Sequence, residues 1–90
     1  MKLKANTITK ITSGCFTDSY MMIENTNTTG SNVLYILDHE PYDPAEIIDN
    51  GIVIGGLGFF EIQKMSQIVA SKPIYGYTTV SNLDIRVLRL

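Results

Sequence analysis

The chain has 90 residues, of which 44% are hydrophobic and 18% charged, with a formal charge of −2. A chain of this length has apolar surface for one core and not for two, so residues 1–90 are read as a single domain, and the composition is too apolar for a disordered segment. The acidic balance, with seven scattered basic residues, argues against a nucleic-acid binder that gains affinity by neutralising phosphates.

No run of eighteen apolar residues occurs, so no membrane association is expected. The first residues turn polar at once and do not resemble a secretory leader. Cys15 is the sole cysteine and has no internal partner for a disulfide. Together these point to a reducing, cytoplasmic setting. Small domains with modest cores often gain stability by association, so a homo-oligomer is expected.

In chain order, residues 3–11 mix Leu, Ile and Thr with Lys and Asn, which favours a strand. Ser13-Gly14 offers a turn, and residues 16–23 place Phe16, Tyr20 and Met22 on one face of a second strand. The two are expected to form an antiparallel hairpin. Residues 25–32 are all of turn-forming type and read as an exposed hairpin loop. The apolar run 33–37 is of strand length and suggests a central strand covered on both faces. Residues 38–46 hold two prolines and four carboxylates. There Asp43 suits the cap of a short helical turn, with Pro44 at its first position. Asn50-Gly51 is a turn pair, and residues 52–54 form either a brief strand or the buried approach to the main helix.

Gly55-Gly56-Leu57-Gly58 leads into Ile62, Met65 and Val69, a spacing that puts apolar side chains on one helical face. One amphipathic helix is predicted over about 59–71, ended by Pro73. Residues 74–80 and 83–90 read as strands with a turn at Ser81-Asn82. In the last, Leu83, Ile85 and Val87 alternate with Asp84 and Arg86, giving one dry and one wet face. The expected architecture is α+β: a mostly antiparallel sheet of about five strands with the helix packed on one face.

Four places could carry chemistry. Gly55, Gly56 and Gly58, if they precede a helix, would let backbone N–H groups and the positive helix end hold a phosphate or nucleotide. The competing reading is a sharp turn against a packed sheet, and the lysine ending of a P-loop is missing. Asp38, His39, Glu40 and Asp43 could bind a cation or supply a base. However, adjacent residues in extended chain point to alternate faces, and a solvated acidic loop that attracts a basic partner fits as well. Cys15 and His39 could form a nucleophile and base, but nothing in the sequence brings them together. Tyr75 and Tyr77 share a strand face across Gly76 and, with Tyr35 and Tyr42, have the character of interface residues or of a core rim.

No metal spacing or nucleophile turn is present, so an enzyme is the poorest reading, and neither cofactor nor metal is expected. The expected function is a small non-enzymatic protein-binding module. The Ile-, Asn-, Thr- and Met-rich composition has the look of a phage or mobile-element inhibitor or accessory subunit acting on a host protein. Its interface would draw on Asp38, Glu40, Tyr42, Asp43, Tyr75 and Tyr77. The alternative is a small-ligand binder using the Gly55–Gly58 turn.

Overall fold

A computed structural model describes residues 1–12, 20–63 and 73–89. In chain order these form β1 (Lys2–Leu3), β2 (Thr9–Thr12), β3 (Tyr20–Asn25), β4 (Leu34–Leu37), α1 (Pro44–Asn50), β5 (Ile52–Ile54), β6 (Phe59–Gln63), β7 (Ile74–Tyr77) and β8 (Leu83–Arg89). The class is α+β with antiparallel pairing throughout, as expected, but the strands divide into two four-stranded sheets, ordered β1-β8-β3-β6 and β2-β7-β4-β5.

The two orders match position by position, because β1 and β2, β8 and β7, β3 and β4, and β6 and β5 hold equivalent places. Each of these pairs is consecutive in the chain. The four connections 4–8, 26–33, 55–58 and 78–82 therefore cross from one sheet to the other, and antiparallel alternation gathers all four corners at one end. The opposite end carries α1 and its flanking loops.

Between the sheets, Leu3, Met21, Ile23, Leu83 and Ile85 from the first meet Leu34, Ile36, Ile54 and Ile74 from the second. All are nearly or wholly buried. Each such side chain contributes about 1.5–3 kcal/mol of burial, which is what holds two small sheets together. In β8 the expected alternation is seen: Leu83 and Ile85 are buried while Asp84 and Arg86 are exposed.

The helix α1 starts as its residues dictate. Asp43 caps it by accepting the Glu46 N–H at 3.1 Å, and Pro44 occupies its first turn. It lies against β4 and β7. Because Ile36 and Gly76 are register partners on the inter-sheet side, their neighbours Tyr35 and Tyr77, also partners, face the other way. The helix thus covers the outer side of the second sheet, with Ile47 fully buried.

Three expectations are corrected. Residues 59–63 are a strand and not the start of a helix: β6 pairs with β3 along its whole length, from Glu24↔Phe59 to Tyr20↔Gln63. Over five residues the alternation of Phe60 and Ile62 with Phe59, Glu61 and Gln63 satisfies period 2, and aromatic and β-branched types with a partner strand available decide for extended backbone. The rest of that predicted helix, with Met65 and Val69, lies outside the described residues. Second, β2 and β3 do not form a hairpin; β2 pairs with β7, and β3 with β6 and β8. Third, residues 25–32 are no hairpin loop, since β3 and β4 belong to different sheets, and their first residue, Asn25, is fully buried.

Candidate functional site

The four corners are tied together sideways in the order of the strands that feed them. At the first, the Asn6 N–H donates to Thr78 C=O at 2.8 Å, and Asn6 Oδ1 accepts from the Tyr77 hydroxyl at 3.2 Å. At the next, buried Thr78 donates its hydroxyl to Val33 C=O at 2.9 Å, while the Thr26 hydroxyl and the Asn27 amide both donate to Asp84 C=O. Asn25 then links the last two corners. Its Nδ2 donates to Asn32 C=O at 2.7 Å and to Ile54 C=O at 3.0 Å, and its Oδ1 accepts from the backbone and the side chain of Asn27. Its backbone also exchanges bonds with Gly58 C=O and the Leu57 N–H. A buried amide with every polar atom satisfied rigidifies what it touches.

Positive φ angles fall at three of the corners: Asn6 at 56°, Leu57 at 65° and Asn82 at 57°. Asparagine adopts this region readily, but leucine does so at a cost of about 1–2 kcal/mol. In the turn closed by Gly58 N–H to Gly55 C=O, Leu57 holds the third position, where glycine is ordinarily required. Leu57 is 63% exposed. The strain is enforced because Leu57 and Gly58 are both bonded to Asn25.

Leu57 sits at the tip of the β5–β6 corner. Both strands are sheet edges, one in each sheet. Exposed apolar side chains cluster around it: Val53 on β5 and Phe59 on β6, within a span of seven residues. The register places Val53 beside Tyr35 on the outer side of the second sheet, and Phe59 beside Glu24 on the outer side of the first. The edge thus carries one exposed apolar side chain on each flank and one at its crest, with exposed Glu61 on the same side of β6 as Phe59.

The glycines of this corner serve chain packing. A Cβ on Gly56 would collide with Thr29 O and stand 2.8 Å from Asn27 O, so the absence of a side chain is what lets the corner lie on the loop after β3. The argument for an anion at Gly55, Gly56 and Gly58 required a helix after them, and a strand is found there instead.

The acidic stretch has its own geometry. His39 Nδ1 lies 3.0 Å from Asp38 Oδ1, and Nε2 lies 3.4 Å from Glu46 Oε2. Glu46 also accepts the Tyr42 N–H through its other oxygen. Bonding to the Asp38 and then the Glu46 carboxylate raises the His39 pKa above its ordinary 6.5. Glu40, Tyr42 and Asp43 are exposed, Tyr42 almost wholly. No group of three metal-ligating side chains suited to an ion occurs among the described residues.

The tyrosines divide. Tyr35 and Tyr77 meet with ring centres 6.5 Å apart, Tyr77 is buried, Tyr75 is half-buried, and the face they share is the one that α1 lies against. The space opposite Gly76 is taken by the Ile11 side chain. Cys15, the proposed companion of His39, lies outside the described residues. Sequence reasoning passed over Asn25, Val53, Leu57 and Phe59. An Asn closing a strand and a Leu inside a glycine turn were the available signals.

Comparison with protein-family models, with curated proteins and with solved structures finds no match for this chain. No helix among the described residues is long and apolar enough to cross a membrane.

Proposed function

We propose that the protein is a non-enzymatic protein-binding module whose contact surface is the β5–β6 edge. The observation that carries this reading is Leu57, an exposed leucine held in left-handed backbone at the crest of a rigid corner, with Val53 and Phe59 exposed on its two flanks. An exposed apolar residue in a strained turn costs stability in the free chain, and a partner that buries it would recover part of that cost. The polar, Asn-, Thr- and Gly-rich loop packed behind it supplies the adaptable hydrogen-bonding rim that interfaces of this kind use. The partner is another protein, a second copy of this chain included. The setting most consistent with the composition is that of a phage or mobile-element inhibitor or accessory subunit in the cytoplasm.

Nothing in the geometry favours a phosphate at Gly55–Gly58. The test is affinity capture from source-cell lysate with wild-type protein and a Leu57→Lys/Phe59→Lys variant, run beside light-scattering masses of both. A partner or self-association present in the wild type, lost in the variant and retained in Tyr42→Ala supports the edge. Identical capture and mass for all three overturns it.

A further inference from the structure

The two sides of the sandwich differ in how their edge strands are guarded. On one side, β1 is two residues long and carries exposed Lys2, with exposed Lys4 just beyond it. The edge strand of the other sheet on that side, β2, carries exposed Lys10, and its register with β7 shifts between Lys10 and Thr12. Short length, lysines and an irregular register are devices that keep a sheet edge from pairing with another chain. On the opposite side, β6 pairs with β3 in unbroken register over five residues, and β5 with β4 over three. These two strands hold no lysine, arginine or proline, and Glu61 is their single charge.

The backbone of β6 is set to receive a strand. The Asn25 N–H donates to Gly58 C=O at 2.9 Å, so Asn25 and Gly58 stand as a hydrogen-bonded pair of the ladder. Such pairs alternate along antiparallel strands, which assigns Phe60 and Ile62 to bonds with Ile23 and Met21. The N–H and C=O groups of Phe59 and Glu61 then point away from β3, over the rim of the sheet. Both residues are exposed, and among the described residues no strand lies beyond β6.

The guarded and open edges together select the partner. An open edge against the guarded edge of the next molecule would not close and would string copies into a fibre, and the lysines and the short β1 oppose it. Two open edges meeting about a two-fold axis form a closed pair and leave both guarded edges outward. Centring that axis on Glu61 would set two carboxylates directly opposite each other, which is unfavourable. Centring it on Phe60 keeps them apart and brings the outward groups of Phe59 in one copy onto those of Glu61 in the other. The same rotation keeps both second sheets on one side, so exposed Ile52 and Val53 come beside their copies.

We propose that β6 pairs with β6 of a second copy of this chain, antiparallel and centred on Phe60, joining the two first sheets into one. This rests on the β5–β6 edge being the contact surface and names its occupant.

Light-scattering mass and amide hydrogen exchange of the intact chain test the pairing. A mass of twice 10.0 kDa is expected, with no further growth as concentration rises. In the dimer the Phe59 and Glu61 amides should exchange as slowly as those of Phe60 and Ile62, and dilution to monomer should release the first two alone. Glu61→Pro removes an N–H that β3 does not use, at an edge position that tolerates proline, and should give a folded monomer at every concentration. Should that variant lack a dispersed spectrum, the wild-type exchange pattern decides. A monomeric wild type, fast exchange at Phe59 and Glu61 within a dimer, a dimer that survives Glu61→Pro, or growth beyond two copies would each overturn the proposal. Capture of a different protein by a monomeric chain, lost in Leu57→Lys/Phe59→Lys, would overturn the second copy and leave the contact edge standing.

Discussion

The cornered end of the sandwich and the opposite end of the same β5–β6 edge are built on opposite terms. At the corners, polar side chains are buried and fully bonded, and Asn25 and Thr78 tie loop to loop. At the other end, apolar side chains line space that the described residues leave unfilled, with Ile52 half exposed beside buried Ile36 and Ile74. The lesson is that, among the described residues, buried side-chain hydrogen bonding is concentrated where the four crossing connections must be aligned. A buried, satisfied amide is costly to disturb, whereas a cavity has already forfeited its contacts.

The sharpest way to break this contrast is Asn25→Ala. Removing the amide leaves Ile54 C=O and Asn32 C=O without their donor in a dry site. The expected loss is about 2–4 kcal/mol in denaturant unfolding, and a loss below ~1 kcal/mol would mean the corners are not held from this residue. Gly56→Ala comes next. Its Cβ meets backbone oxygens of Thr29 and Asn27, which cannot yield without moving the corner, for a cost of about 1–3 kcal/mol. Gly76→Ala is the control, since the nearest atom is the tip of the flexible Ile11 side chain. It should cost clearly less, and equal melting shifts in the two variants would remove the distinction.

Leu57→Gly should act in the other direction. Relief of left-handed strain is offset by glycine's larger unfolded-state entropy, leaving a gain of about 0.5–1 kcal/mol together with weaker partner capture. Destabilisation instead would show that Leu57 is packed and not presented.

The smallest effect concerns His39. Its pKa is raised in the folded state, so the stabilisation from the Asp38 and Glu46 contacts is fully present below the unfolded value of 6.5 and is lost as pH rises through the folded value. The group is exposed, and the slope should be shallow. It should vanish in His39→Ala when unfolding midpoints are compared from pH 5 to pH 8, and an imidazole titration by NMR at or below 6.5 would contradict the geometry.

What the chain carried legibly was everything set by neighbours a few residues apart. Antiparallel β-rich character, the Asp43-Pro44 helix start and the alternation of Leu83 and Ile85 with Asp84 and Arg86 all arise from local propensity and period, and the structure repeats them, while of the two readings open for 52–54 it selects the brief strand. Only the tertiary fold decided which strands pair, because both sheets interleave segments far apart in sequence and β pairing has no local signature of its partner. The same holds for residues 59–63, where five residues fit either period and the presence of β3 alongside selected the strand. It holds for Asn25 too: an asparagine before a run of turn-forming residues reads as the edge of a loop until two sheets close around it.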